Sequence, residues 1–315
     1  MGISPGAVAF VQRENECEQN FAEEGPFWFV SAGELNRVIF CSEDDYKSAR
    51  NATAVNVARS GVVCYMDTIM SNHGHWLFGR ASLEKCMAFW SGFRRAIALM
   101  EKDKGLEGKD LLSWECLCKP VENLKYFRNI CAYIARNAPL ARMDATVSGY
   151  RWSSADLPFN SNIAYYDPGL PYSGIPFKEK RRICRGRNIE LPENYKVNSG
   201  EITKLSYVES RGVERMFNSA TQYWRHLNRQ VETDMEIARV LGEKMSISDE
   251  ELYNLVATWC YKDLYLEKGL RGASLEQKFT LAKRLHDDLG IANQQISRIL
   301  ELDPKILNRI YPIPE

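Results

Sequence analysis

Residues 61–80, GVVCYMDTIMSNHGHWLFGR, decide how this chain is read. Gly61 to Met70 is rich in β-branched and aromatic residues and reads as a strand, and Ser71-Asn72 breaks it. His73 to Arg80 reads as a second strand, and two strands joined this tightly form an antiparallel hairpin. Before the hairpin, Phe27 to Ser31 is a strand candidate, and Ser42 is placed to cap a helix reaching about Arg59. Its first turn carries Glu43, Asp44 and Asp45, which suit the positive helix start. After the hairpin, Ser82 is placed to cap a helix to about Lys102, with Leu83, Met87, Trp90, Phe93 and Ile97 at helical spacing. A short strand follows around Trp114 to Cys118, ended by Pro120. From Val121 to about Asn137 the pattern is helical again, and Pro139 stops it.

Strand, helix, strand, strand, helix, strand is the order of a split βαβ unit, so the expected class is α+β: a ferredoxin-like antiparallel sheet with helices, followed by a mainly α-helical C-terminal region. With 315 residues the chain has room for about two domains. The divisions expected are residues 1–160 as the catalytic domain, 161–205 as an irregular basic linker and 206–315 as a helical region. A composition of 45% hydrophobic and 26% charged residues excludes a disordered or fibrous protein. No stretch of ~18 apolar residues predicts a membrane helix, and Met1 to Gln12 lacks the basic start of a signal peptide, so the expected location is cytoplasmic. Nine scattered cysteines suit a reducing compartment, and Cys116-x-Cys118 lacks the second pair of a zinc motif.

The four histidines include a pair two residues apart, His73 and His75. On a strand such residues share a face, so both imidazoles project together in the manner of metal ligands. Tyr133 and Asn137, four apart on a helix, also share a face. A tyrosine hydroxyl titrates near 10 and is a weak nucleophile, and a divalent cation that polarises a phosphate makes its attack feasible. Asn137 offers an amide oxygen as third ligand. Two imidazoles and one amide oxygen leave positions open for phosphate and water, which suits Mg²⁺ or Mn²⁺.

The strings NHGH (72–75), AYIARNAP (132–139) and YRWSSA (150–155) together resemble the REP-associated tyrosine transposases, single-strand DNA transposases with the HUH motif. The likeness spans roughly residues 25 to 160. It implies His73, His75 and Asn137 as metal ligands and Tyr133 as nucleophile, with cleavage and rejoining through a 5′-phosphotyrosine. It also implies single-stranded DNA with hairpins as substrate, and dimers. Trp152, Ser153 and Ser154 match the W-S-S of the pattern, to which no catalytic role is assigned. Two departures stand out: Gly74 occupies a position that is bulky and apolar in the family, leaving a hole that Trp76 is placed to fill, and Ala138 separates Asn137 from Pro139.

Net charge is formally zero, with 41 basic and 41 acidic residues. Their distribution is uneven. In KEKRRICRGR (178–187) Glu179 is the single acid among Lys178, Lys180, Arg181, Arg182, Arg185 and Arg187, a candidate phosphate track beside a DNA-cleaving site. Near the C-terminus, Ser274 to Gly290, Asn293 to Leu300 and Lys305 to Tyr311 form a three-helix pattern similar to a helix-turn-helix, with Lys305, Asn308 and Arg309 on the last helix available to DNA. His226 and His286 read as surface residues. Three readings stay open: an active transposase or nuclease, a transposase-derived regulator that binds DNA without cutting, and a replication initiator or relaxase.

Overall fold

The computed structural model describes residues 5–33, 35, 37–106, 111, 113–140, 146–162, 169–185, 190–228, 249–266, 269–288 and 291–312. They divide into two compact units, one within Met1–Pro139 and Met143–Asn228, the other within Arg229–Glu315 together with Leu140. The protein is α+β.

In the first unit, α1 (Pro5–Glu24) precedes β1 (Phe27–Ala32), α2 (Glu43–Ser60), β2 (Val63–Ile69), β3 (Gly74–Gly79), α3 (Leu83–Asp103), β4 (Cys116–Val121) and α4 (Leu124–Leu140). The sheet runs β2-β3-β1-β4 and every pair is antiparallel, with β1 and β3 central. Local chemistry fixes these elements. The Ser42 hydroxyl accepts from the Asp45 amide while the Asp45 carboxylate accepts from the Ser42 amide, a reciprocal cap that starts α2. At its other end Gly61 adopts φ 67° and donates to the Val57 carbonyl, closing the last turn. Ser82 caps α3 through the Lys85 amide.

Strand alternation divides the core between two faces. Val30, Trp76 and Phe78 point toward α2 and α3, where the Trp76 ring lies 4.9 Å from Phe93 and Phe78 lies 4.7 Å from Phe89. Phe27, Phe29 and His75 point the other way, toward α1 and α4. There Phe27 stacks on Phe21 at 4.9 Å and meets Phe127 at 4.9 Å, and Phe29 meets Tyr133 at 5.9 Å. Each fully buried aromatic of this kind stabilises the fold by roughly 1.5–3 kcal/mol.

Both prolines expected to end elements lie inside them. Pro120 sits within β4, opposite Trp28, which an edge strand tolerates because its outer side needs no ladder donor. Pro139 lies in α4, one residue from its end; it removes the amide that would donate to the Ala135 carbonyl, and the buried Phe127, Ile130 and Ile134 hold the helix down despite that loss. His73 precedes β3 rather than opening it.

The W-S-S segment seals the open side of β2. Ser154 exchanges bonds with Asp67, its Oγ accepting from the Asp67 amide at 2.8 Å and its amide donating to the Asp67 carbonyl at 3.0 Å; the Trp152 carbonyl accepts from the Ile69 amide at 3.0 Å. The region expected to be an irregular linker holds β5 (Leu170–Pro171), α5 (Phe177–Cys184), β6 (Lys196–Asn198) and β7 (Glu201–Ile202), with Tyr172, Ile183, Cys184, Tyr195 and Val197 in the same core as α2 and α3. Short helices α6 (Lys204–Tyr207), α7 (Ser210–Arg215) and α8 (Ala220–Leu227) complete the unit.

The second unit consists of α9 (Asp249–Lys262), a single 3-10 turn, α10 (Leu275–Lys283), α11 (Asn293–Leu300) and α12 (Pro304–Ile310) around Leu252, Val256, Trp259, Leu281, Leu285, Ile296, Leu300 and Leu307. Ser274 and Gln277 form a reciprocal cap on α10, and Asp303 caps α12. Gly290, the expected end of the first of these three C-terminal helices, lies outside the described residues.

Candidate active site

β3 and α4 bring the motif residues together on the sheet face that carries α4. The His73 and His75 rings lie 4.9 Å apart and nearly perpendicular, and the Tyr133 ring is 5.4 Å from His75. Asn137, one turn beyond Tyr133, hydrogen-bonds the His75 side chain. Its amide nitrogen donates to the Tyr133 carbonyl at 2.9 Å, which turns the amide oxygen toward the histidine. His73 and Asn137 are half-buried, whereas His75 and Tyr133 are 1% and 2% exposed, so the cluster opens to solvent on the His73 and Asn137 side.

Each imidazole is oriented by a second residue. Asn72 donates its amide nitrogen to the Leu35 carbonyl at 2.8 Å, which aims its oxygen at His73 Nδ1, 2.8 Å away. That oxygen is an acceptor, so Nδ1 carries the ring proton and Nε2 the lone pair a cation needs. His75 Nδ1 lies 2.9 Å from Ser31 Oγ. The Ser31 hydroxyl donates to His75 Nδ1, or turns to the Ala32 carbonyl at 3.5 Å and accepts Nδ1–H, so it serves either tautomer. Burial pushes His75 down to about 3, against the Asn137 hydrogen bond, and the ring stays neutral at physiological pH as a ligand must.

The strand register places Thr68 and Ser31 directly opposite His75 on its two sides, on the same face. The Thr68 hydroxyl is buried and has no hydrogen-bond partner among the described residues, which leaves it available to a hydrated or ionic occupant. Among the described residues no three His, Cys, Asp or Glu side chains converge. Two imidazoles, an amide oxygen and an orphaned hydroxyl fit a divalent cation that keeps water in its shell.

Gly74 owes its place to its neighbour. A Cβ there would lie 2.8 Å from Trp76 Cη2 and 3.2 Å from the Thr68 carbonyl, so the indole fills the volume a bulkier residue would take. Ser31, Thr68 and the role of Asn72 are not among the residues that sequence reasoning singles out; the available signal is a serine inside the apolar FWFVSA strand and the asparagine that opens NHGH.

The basic run does not adjoin this cluster. Lys178, Lys180, Arg181 and Arg182 lie on α5, and Arg185 follows it; α5 packs through Ile183 and Cys184 into the core shared with α2 and α3, on the opposite side of the sheet. Lys178, Arg181 and Arg182 are exposed. Lys180 donates to the Ser173 carbonyl and lies over the Tyr172 ring, and Arg185 pairs with Asp103 at 2.5 Å. Arg187 lies outside the described residues. In the second unit Lys305 and Arg309 are exposed on α12, while the Asn308 oxygen accepts from Asn293 at 2.9 Å. Of the other histidines, His226 is half-buried beside Asn129 at 3.0 Å, and His286 stacks on Tyr311.

No protein-family model matches the chain, and no curated protein matches it. A similar solved structure is that of a REP-associated tyrosine transposase bound to a REP hairpin, 16% identical with a TM-score of 0.36, covering 56% of this chain and 94% of that one. No described helix is long and apolar enough to cross a membrane.

Proposed function

We propose that this protein is a metal-dependent transposase of the HUH tyrosine kind, which cuts and rejoins single-stranded DNA at hairpin-bearing sites. The observation that carries the reading is the meeting of His73, His75, Tyr133 and Asn137, drawn from two elements far apart in the chain, on one face of the sheet. The strand order β2-β3-β1-β4 with helices after β1 and β3 is the ferredoxin-like arrangement that the motifs imply for HUH nucleases.

His73, His75 and Asn137 would hold Mg²⁺ or Mn²⁺, which when bound polarises the scissile phosphate and offsets its charge. Tyr133 Oη attacks phosphorus, and the Oη–P bond forms as the P–O3′ bond breaks. The tyrosine loses its proton and the departing 3′-oxygen gains one, leaving a 3′-hydroxyl and a 5′-phosphotyrosine. The phosphodiester is conserved in the covalent link, so rejoining consumes no nucleoside triphosphate. Asn72 and Ser31 keep the imidazoles aimed, and the Asn137 amide, tied to the Tyr133 carbonyl, couples ligand and nucleophile on one helical turn.

A second reading, a DNA-binding regulator derived from such an enzyme, draws on the burial of Tyr133. Incubation with a labelled single-stranded hairpin oligonucleotide and Mn²⁺, followed by a denaturing gel, separates the two. A covalent adduct that Tyr133→Phe abolishes supports cleavage. Hairpin binding without any adduct supports the regulator.

A further inference from the structure

On the side of the sheet away from His75 and Tyr133, α2, α3 and the end of α5 enclose a groove of about 370 Å³. Arginines from three separate elements line it: Arg59 from the last turn of α2, Arg95 from the middle of α3 and Arg185 just past α5. Ser91 and Ser60 add hydroxyls, and no aspartate or glutamate is among the described residues of the lining. Burial raises the Cys184 thiol of the groove wall, and the Arg59 charge opposes that rise. Arg185 has Asp103 as partner, but Arg95 is exposed and no described acid pairs with it. The carbonyls that end α2 do not repel an anion unopposed, because Lys85 Nζ donates to the Gly61 carbonyl. Next to the groove, α5 exposes Lys178 and Arg181, so the positive surface continues beyond it.

We infer that this groove binds the phosphodiester backbone of a nucleic acid, through Arg59 and Arg95, on the face opposite the cleavage cluster. Arginines in fork geometry, hydroxyl donors and an absence of lining acids are what phosphate binding requires. The inference rests on the nucleic-acid reading of the protein and not on its cleavage chemistry. A protein with formally no net charge gains phosphate affinity only where its cations are gathered on one surface.

The test is fluorescence anisotropy of a labelled hairpin oligonucleotide with the full chain, titrated at several salt concentrations. Arg59→Ala with Arg95→Ala is expected to weaken binding at least about tenfold and to reduce the salt slope by about two, one for each phosphate that the variant no longer neutralises. Arg59→Lys with Arg95→Lys is expected to retain most of the slope, since it keeps the charges. Both arginines are exposed, and circular dichroism confirms that the variants fold. Unchanged affinity and slope in the alanine variant would overturn the groove assignment alone. Failure of the unaltered protein to bind the hairpin would overturn the nucleic-acid reading with it. Competition by millimolar inorganic phosphate as effective as by unlabelled hairpin would show a site for small anions, and would also overturn the inference. Adduct formation at Tyr133, scored separately, bears on cleavage and leaves the groove unaffected.

Discussion

Gly74 shows how a single residue carries a packing decision into the site. The indole of Trp76 is fully buried between Phe89 and Phe93 and cannot yield to a methyl group at 2.8 Å, so the strand that bears His75 is held close against it. Gly74→Ala is expected to destabilise the protein by about 1–3 kcal/mol, the usual cost of overpacking, read as a drop in thermal midpoint. In the Trp76→Leu background, where the ring is gone, the same substitution should cost far less. Ser31 belongs to this scale too: Ser31→Ala removes the partner of His75 Nδ1 and is expected to weaken Mn²⁺ binding roughly 10- to 100-fold with the fold intact, measurable by titration calorimetry. An unchanged Mn²⁺ affinity would remove Ser31 from the site. The paired histidines, Tyr133 and Asn137 are legible because their spacings are one-dimensional signatures. Ser31 and Thr68 are not, since what matters about them is the cross-strand register that sets them opposite His75.

Among elements, the strand and helix order can be read from periodicity and capping residues, and Ser42 and Ser82 cap the helices they are expected to cap. Proline misleads twice: an edge strand tolerates it, and in α4 the packing of the buried helix face outweighs the lost amide donor, and neither the sheet edge nor that packing is visible in the sequence. Helix α1 leaves little trace in the pattern: its chain is acidic, and among its described side chains isolated residues such as Cys17 and Phe21 are turned inward. The W-S-S segment acts as an edge cover for β2. Ser154→Ala leaves the buried Asp67 amide without its hydroxyl acceptor and is expected to cost about 1–3 kcal/mol in chemical denaturation. A change well below that range would show that the backbone bonds of the segment suffice. The tie between α1 and α4 is pH-dependent. The Arg128 guanidinium, 2.6 Å from Glu14, holds that carboxyl below its ordinary value of 4.5. A carboxylate with a depressed folded-state pKa stabilises the fold above about 4.5 and loses that contribution as pH falls through the lower value. The stability gap between the unaltered protein and Glu14→Gln should therefore close as pH falls below the ordinary carboxylate value of 4.5, followed by thermal melts at successively lower pH. A gap constant with pH would remove Glu14 from the balance.

At the scale of the whole molecule, the groups of the candidate site all lie in the first unit, and so does the basic helix. What composition conceals is their separation: the cluster faces α4, while α5 packs on the opposite side with α2 and α3. Charge runs are one-dimensional, and only the burial of Ile183 and Cys184 shows which way this one turns. A chain ending at Asn228 retains every group of the cluster and the core around it, and is expected to keep adduct formation. Loss of the adduct with the fold retained by circular dichroism would tie the second unit to the chemistry.

In the proposed reaction Tyr133 becomes covalently joined to DNA. The most direct measurement of that link is tandem mass spectrometry of the protein after reaction with a single-stranded hairpin oligonucleotide and Mn²⁺, with nuclease trimming of the attached strand. The predicted result is a nucleotide phosphate on the peptide carrying Tyr133, absent without metal and absent in His75→Ala. The contradicting result is a modified peptide that maps to a different tyrosine, or no modified peptide under conditions where the hairpin is bound.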